Sequence, residues 1–255
     1  MHAELAIELH RAGDGSVVAH GALALAPYWC RWDGATLWIV GSAATPVGED
    51  DITLDLRVGE GVRATVRSVA AMVVYAGRGA GTRLTTRLHV AAGASLRWQP
   101  EPVIVTARAR HRSVLIADVA SGGELVADEV VVLGRSDEVA GAYVSATDLR
   151  RDGVPICLTS FDTAAPGWSG PAGTAGAKVV GTRLVIDATT AIGAPTPRVD
   201  ASTVVLRPEG GGTIATTLAP DPGRARAQLD AALAGPAAGA DRDEGLASVG
   251  SGPPA

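Results

Sequence analysis

Lysine is almost missing from this sequence of 255 residues, because only Lys178 among its 22 basic side chains is a lysine. The formal net charge is −5. A chain with this balance offers no general basic field to the phosphates of nucleic acid or to anionic lipid. We therefore expect neither a nucleic-acid partner nor a membrane partner.

Cysteine and long apolar runs are also scarce. Cys30 and Cys157 stand far apart and in no metal-ligand spacing, which excludes a zinc site or a disulfide framework built on paired cysteines. The sequence has no apolar run of about 18 residues. Glu4, Glu8 and Asp14 occupy the region where a secretory leader has a basic start and an apolar stretch. These features predict a cytosolic protein.

Catalytic motifs are missing as well. The glycine-rich run at residues 77–82 lacks the Gly-Lys-Ser/Thr ending of a phosphate loop, and neither a GxSxG nor an HExxH pattern occurs. The five histidines fall at no spacing that brings two imidazoles to one metal. The sequence therefore predicts a protein that is not an enzyme and has no catalytic residues. A metal-dependent hydrolase that pairs acidic residues 49–51 with a distant histidine is a weaker alternative.

The sequence does contain strong period-2 alternation. Ile52, Leu54, Leu56 and Val58 share one face of a predicted strand, while polar side chains take the other face. Similar segments predict an all-β protein with one or two short helices. The predicted strands cover residues 52–58, 83–90, 95–98, 103–108, 113–119, 124–133, 143–149, 178–186, 202–206 and 213–218.

Glycine turns recur about every thirty residues, at Gly61, Gly93 and Gly122. Glycine suits the positive-φ position of a tight turn, so we expect layered antiparallel hairpins stacked into a solenoid-like β scaffold over residues 1–220. Residues 164–177 are typical of a long loop. Residues 221–233 predict a short helix, and residues 235–255 predict a disordered tail rich in Gly, Ala and Pro.

Charged side chains form two further patterns. Acidic residues 49–51 precede a strand and are typical of a solvated turn, although carboxylates also attract a divalent cation. Arg108, Arg110 and Arg112 alternate, so a strand would carry them on one face. That face would meet an acidic partner or serve as a charged, protected strand edge.

Three tryptophans, Trp29, Trp32 and Trp38, lie close together in a chain with only 4% aromatic residues. Tryptophans in such numbers belong to a core or, where exposed, anchor an interface. The second reading supports an alternative function, a stand-alone β module that binds a small ligand or carbohydrate in an aromatic groove.

Five segments resemble, in order, the urease accessory protein UreD (UreH) family. Residues 93–102 are similar to that family's Gly-Ala, tryptophan and Pro-Glu-Pro stretch, and residues 151–155 to its Arg-Asp-Gly-x-Pro turn. Residues 48–56 and 61–75 resemble a Gly-Asp strand and a polar strand with a Val-Tyr ending. Residues 129–135 resemble a glutamate before Leu-Gly-Arg. The motif positions are Gly61, Tyr75, Gly93, Trp98, Pro100, Pro102, Gly134, Arg135 and Gly153.

The resemblance implies a β-rich scaffold that binds apo-urease and the accessory protein UreF, which recruits the GTPase UreG. It implies nickel delivery, with transient Ni²⁺ and no tightly bound cofactor, along a path of polar side chains that includes Asp50 and Glu129. Carboxylates suit such a path, because they exchange a divalent cation more readily than a closed thiolate or imidazole cage. Ala70 and Val73 stand where the family has a serine and a lysine.

Overall fold

The computed structural model describes residues 1–187 and 197–234, and within them it is almost entirely β-structure. The described residues form nineteen strands and one helix. In chain order they are β1 (His2–Arg11), β2 (Val17–Gly21), β3 (Ala24–Leu25), β4 (Tyr28–Trp32), β5 (Thr36–Gly41), β6 (Asp51–Val58), β7 (Arg63–Ser68), β8 (Met72–Val74), β9 (Thr82–Val90), β10 (Ser95–Trp98), β11 (Val103–Val105), β12 (Arg110–Val119), β13 (Glu124–Leu133), β14 (Ala142–Arg151), β15 (Val154–Asp162), β16 (Val179–Ile186), β17 (Arg198–Val199), β18 (Thr203–Leu206), β19 (Thr213–Ala219) and α1 (Pro222–Leu233).

Two sheets face each other. One has seven strands in the order β15-β14-β12-β9-β6-β1-β2, and its five inner strands run parallel. The other has twelve strands, in which β5, β7, β10 and β13 run parallel and β3, β4 and β16 to β19 add antiparallel strands at its two sides.

The chain moves from one sheet to the other at each glycine turn. β6, β9 and β12 lie in the seven-stranded sheet, and β7, β10 and β13 follow them in the twelve-stranded sheet. Gly61, Gly93 and Gly122 adopt φ values of 65°, 67° and 80°, which glycine tolerates best. The turns stack through a hydrogen bond from the Gly93 amide to the Gly122 carbonyl (3.1 Å).

The predicted all-β, solenoid-like fold is therefore confirmed, but the predicted antiparallel pairing across the glycine turns is wrong. Those turns close coils of a solenoid, in which a strand pairs with the strand one coil later. Thr82 lies opposite His111, and Asp51 opposite Arg83, so one coil takes about thirty residues. A true hairpin occurs where Gly153 (φ 76°) turns the chain from β14 into β15.

The main core lies between the sheets and is one layer of interdigitated side chains. Each strand supplies alternate residues to it, as the period-2 pattern requires. Leu56, Leu88, Ala117 and Leu149 form one row across four parallel strands, and all are fully buried. This row meets Val66, Leu96 and Leu125 in the same cluster of buried residues.

Most predicted strands are confirmed, including residues 95–98 and 124–133 with their exact bounds. The prediction for residues 103–108 is wrong beyond Val105, where β11 ends. Arg108 adopts a φ of 61° in the following turn, so it does not share a strand face with Arg110 and Arg112. The predicted tail at residues 235–255 lies outside the described residues.

The helix predicted at residues 221–233 is present as α1. It begins at Asp221, whose side chain accepts a hydrogen bond from the Arg224 amide (2.8 Å), and Pro222 occupies its first turn. Among the described residues no helix has the length and apolar character needed to span a bilayer. Leu229 buries its side chain against the outer surface of the twelve-stranded sheet beside Gly181.

An ion-pair network fastens α1 to the sheet. Arg183 on β16 donates to both carboxylate oxygens of Asp128 on β13 (2.6 and 2.8 Å) and to Asp230 on α1 (2.6 Å). The hydrogen bonds to Asp128 raise the pKa of Arg183 above its usual value, although burial acts in the opposite direction. Asp128 is buried, whereas the Asp230 side chain is 67% exposed.

Arg183→Ala should lower the free energy of unfolding by about 3 kcal/mol or more, because it leaves the Asp128 carboxylate buried without its partner. Asp230→Asn is the matched control and should lower it by under about 1 kcal/mol, since that partner is exposed. Urea unfolding followed by tryptophan fluorescence measures both changes. Equal effects of the two substitutions would contradict the role given to Asp128.

Candidate functional site

The twelve-stranded sheet has a gap, here called the slot, where two neighbouring strands are interrupted at the same level. β7 and β8 are separated by residues 69–71, and β10 and β11 by residues 99–102. β13 runs through the level unbroken and pairs with β10 before it and β11 after it. Pro100 and Pro102 have no backbone N–H to give to a ladder, which explains why β10 stops there.

The two interrupted segments hold each other in place. The Ser68 hydroxyl accepts a hydrogen bond from the Glu101 amide (2.8 Å), and the Met72 amide donates to the Pro102 carbonyl (2.9 Å). Arg226 on α1 donates a hydrogen bond to the Glu101 carboxylate (3.0 Å). The slot is thus a fixed gap in the sheet wall.

Behind the slot lies a cavity of about 490 Å³ between the two sheets. Its mouth is formed by both interrupted segments, and its inner wall by side chains of β6, β9, β12 and β13. The volume is in the range of pockets that hold small ligands. Side chains that line the inner wall include Leu54, Leu84, Thr86, Ser113, Leu115 and Glu129.

The space between the sheets contains a belt of polar side chains between two apolar clusters. Near the glycine turns every inward side chain in the row through Leu56 is apolar. Further from the turns the rows contain Thr86 and Thr147, then Ser113 and Ser145. Beyond this polar belt a second apolar cluster includes residues of β8, β11 and β13. The short polar side chains of the belt fill less of the space, and two strands of the opposite sheet are interrupted at this level, so a cavity remains.

Glu129 lies in this polar belt. Its side chain follows Leu125 and Ala127 on the inward face of β13 and accepts three hydrogen bonds, at Oε1 from the hydroxyls of Ser113 (2.8 Å) and Tyr143 (3.0 Å) and at Oε2 from Ser145 (2.5 Å). In the described part of the chain no cationic side chain forms an ion pair with it. A half-buried carboxylate held only by hydroxyl groups favours a cation in the cavity that it faces.

Tyr143 and His111 support this cluster from the neighbouring strands. Tyr143 is fully buried, and burial together with the Glu129 carboxylate raises its pKa well above the usual value, so the phenol remains a donor. The His111 ring stacks on Tyr143 with centroids 6.0 Å apart, and its Nδ1 lies 2.7 Å from the Thr82 hydroxyl. Burial lowers the pKa of His111 to about 4, against the opposing effect of Thr82.

The family resemblance implied Glu129 as a path residue, which stays a prediction, and neither its hydroxyl partners nor His111 were among the predicted site residues. A signal was present: Ser113 and Ser145 occupy the same alternation phase as Leu115 and Leu149, so each is a polar residue on an inward face. These side chains meet because of the pairing register between strands of successive coils. The alternation within each strand does not determine that register.

Asp50, the other predicted path residue, lies outside the cavity wall. Its carboxylate accepts hydrogen bonds from the Met1 ammonium (2.7 Å), the Thr45 hydroxyl (2.8 Å) and the Val47 amide (3.0 Å). Burial by itself would raise the pKa of Asp50, but these donors outweigh it and lower the pKa. Thr45 does line the cavity, so Asp50 touches the space through one intervening hydroxyl.

The acidic run at residues 49–51 does not converge on one point. Glu49 accepts a hydrogen bond from the Ala80 amide (3.1 Å) in the glycine-rich loop, Asp50 binds the N-terminus, and Asp51 begins β6. Among the described residues no three His, Cys, Asp or Glu side chains form a group that could hold a metal. A resident metal centre of the hydrolase type therefore finds no ligand set in the part of the chain described.

The three tryptophans do not line one groove. Trp32 packs against the main core and donates to the Val17 carbonyl (2.9 Å). Trp29 and Trp38 point to the opposite, outer side of the sheet, where Trp29 is 59% exposed. The carbohydrate groove expected for the alternative binding module is not formed by this set.

The motif residues of the family resemblance concentrate at turns and at the cavity. Trp98 and Pro100 line the cavity, and the exposed Tyr75 pairs with Val47 near its mouth. Arg135 forms an ion pair with Glu138 (2.5 Å) after Gly134, which has a φ of 87°. The departures Ala70 and Val73 also line the mouth, so this lip is apolar where the family has polar groups.

His111→Gln should make the stability of the protein less dependent on pH. The folded protein holds His111 neutral, so the wild type loses on the order of 3 kcal/mol as pH falls from about 6.5 to about 4, because the unfolded chain takes up the proton first. The glutamine side chain does not titrate in this pH range, so this loss of stability should be missing from the variant. Unfolding free energies measured between pH 7.5 and pH 5 should fall more steeply for the wild type, and parallel curves would contradict the burial of a neutral imidazole.

Comparison with known proteins shows the family to which the sequence belongs. A family model described as UreD urease accessory protein matches residues 2–242. Urease accessory protein UreD of Streptomyces coelicolor is 34% identical over 231 residues, which cover 88% of this chain and 91% of that protein. The UreD protein of a Parafrankia species is 31% identical over 263 residues, covering 92% of this chain and 88% of that protein. This chain therefore belongs to the UreD family of urease accessory proteins.

Proposed function

We propose that the protein is a non-catalytic scaffold of urease maturation that binds apo-urease, UreF and UreG and lets Ni²⁺ pass through the cavity between its sheets. Family membership supports the role in urease maturation. The observation that carries the nickel proposal is the Glu129 carboxylate, which faces the cavity without a cationic partner in the described part of the chain.

The chemistry of the Glu129 cluster suits a passing cation. Carboxylate and hydroxyl oxygens bind a divalent metal weakly and exchange it readily, whereas a set of thiolates or imidazoles holds it. Ser113, Tyr143 and Ser145 keep the carboxylate in one position, and a hydrated Ni²⁺ would take the place that no side-chain cation fills. Such a site would bind the cation weakly enough to release it again.

The slot provides the way into this space. Val69, Ala70 and Glu101 lie at the mouth of the cavity, and Glu129 lies on its inner wall. Glu101 supplies a second carboxylate, half exposed at the rim and held by Arg226. We infer that nickel enters or leaves by the slot and that Asp50, whose carboxylate already accepts three hydrogen bonds, positions Thr45 beside the path.

Glu129→Ala should reduce urease activation at limiting nickel by about tenfold, the effect expected when one contact of about 1.4 kcal/mol to a charged group is lost. Glu129→Gln should have a similar effect, because it keeps the shape and removes the charge. Urease activity and the nickel content of purified urease are measured in a strain that lacks the chromosomal gene and expresses each variant.

Glu124→Gln is the matched control, because Glu124 is the first residue of the same strand and does not line the cavity. It should activate urease as the wild type does. Deletion of the gene should leave urease protein present but poor in nickel. Full activation by Glu129→Ala would contradict the nickel path, and full activation in the deletion strain would contradict the maturation role itself.

A further inference from the structure

The outer face of the twelve-stranded sheet carries an unusual set of exposed side chains. The strands β4, β5, β7 and β10 turn alternate residues toward the core, and their remaining residues face solvent. Two tryptophans and four arginines among these outward residues form what we call the arginine–tryptophan face. They are Trp29, Arg31, Trp38, Arg63, Arg67 and Arg97.

Strand register brings these side chains together. Arg31 lies opposite Trp38, and Trp38 lies opposite Arg67, so the three form one row across β4, β5 and β7. Arg97 on β10 lies opposite Thr65, one alternation step from Arg67. Neighbouring strands are about 4.8 Å apart, so the guanidinium groups share one small area of surface.

The positive charge of this face has little compensation within the chain. In the described residues none of its four arginines forms an ion pair. The nearby carboxylate of Asp33 is already held by the indole of Trp38 (2.8 Å) and the amide of Thr36 (2.7 Å). The chain as a whole is acidic, with a net charge of −5, so this concentration is local.

The side-chain types point to a protein partner with carboxylates at its surface. Arginine binds carboxylates through two parallel hydrogen bonds, and clustered arginines repel each other until acidic groups are placed among them. Tryptophan and arginine are also the residues most enriched among those that dominate interface energies. Trp29, with 59% of its surface exposed, is a large apolar side chain that a docked partner would cover.

We propose that the arginine–tryptophan face is the docking site for an acidic surface of a protein partner. The inference rests on the proposed maturation function, because it assigns the partner to that machinery. The face adjoins the slot: Arg67 precedes Val69 at the mouth of the cavity by two residues, and Arg97 precedes Gln99 by two. A partner docked there lies next to the opening and transfers its cation over a short distance.

The test compares two charge reversals of equal size on opposite sheets. Arg31→Glu combined with Arg67→Glu changes the proposed face, and Arg83→Glu combined with Arg112→Glu changes two exposed, neighbouring arginines on the seven-stranded sheet. Trp29→Ala is a third, charge-neutral variant. The probes are the apo-urease and the UreF protein of the same genome, with binding measured by biolayer interferometry at two salt concentrations.

We expect Arg31→Glu with Arg67→Glu to weaken binding of at least one probe by about tenfold or more, and Trp29→Ala to weaken it severalfold. The control pair should stay within about twofold of the wild type. Wild-type binding should weaken with salt more steeply than that of the reversed face. Unchanged thermal unfolding midpoints by circular dichroism establish that the exposed substitutions leave the fold intact.

Wild-type binding by both the reversed face and Trp29→Ala would overturn this inference and leave the maturation role standing. Loss of binding only in the control pair would move the docking site to the other sheet. Loss of self-association in gel filtration, or loss of co-purified nucleic acid, with protein binding unchanged would assign the face to a different occupant and overturn the inference. A wild-type chain that binds neither probe would contradict the proposed function and this inference with it.

Discussion

The single layer of side chains between the two facing sheets is the constraint on which the rest of the structure depends. Every strand of every coil contributes alternate residues to this layer, and the layer is filled only where those residues are large and apolar, as at Leu56 and Leu88. Where the inward residues become Ser113, Ser145 and Glu129, the core is interrupted by a cavity whose lining is mainly apolar apart from this cluster. Fold and site are therefore parts of the same interface between the sheets.

The neighbouring residues Asp128 and Glu129 show how this interface separates structure from function. The Asp128 carboxylate is paired with Arg183, which also binds Asp230 on the helix, so Asp128 helps to attach α1. Glu129 points between the sheets and meets only hydroxyl groups in the described part of the chain. The same helix reaches the slot through Arg226 and Glu101, so its attachment also braces the rim of the cavity. One strand thus stabilises the scaffold with one face and faces the proposed path with the other.

Much of the fold follows from the sequence, because alternation and turn glycines are local signals. Residues 124–133 were predictable as a strand, and the alternation of Leu5, Ile7 and Leu9 in β1 is equally regular. Whether neighbouring strands run parallel or antiparallel was not predictable, because both arrangements have the same period. The site needs the register between coils, since Ser113, Tyr143 and Ser145 reach Glu129 only in that register. The family resemblance indicated Glu129, and the hydroxyl cluster around it required the structure.

The most direct test of the proposed cavity path is to close the slot chemically in the folded protein. Ala70→Cys places a thiol at the exposed mouth, in a background in which the partly accessible Cys157 is replaced by serine, while Cys30 stays buried. Nickel transfer to apo-urease is then measured before and after reaction with a bulky maleimide, together with binding of the partners. The account predicts that the modified protein binds its partners but no longer supports nickel transfer, and that the serine background treated alike is unaffected. Undiminished nickel transfer with the slot blocked would contradict it.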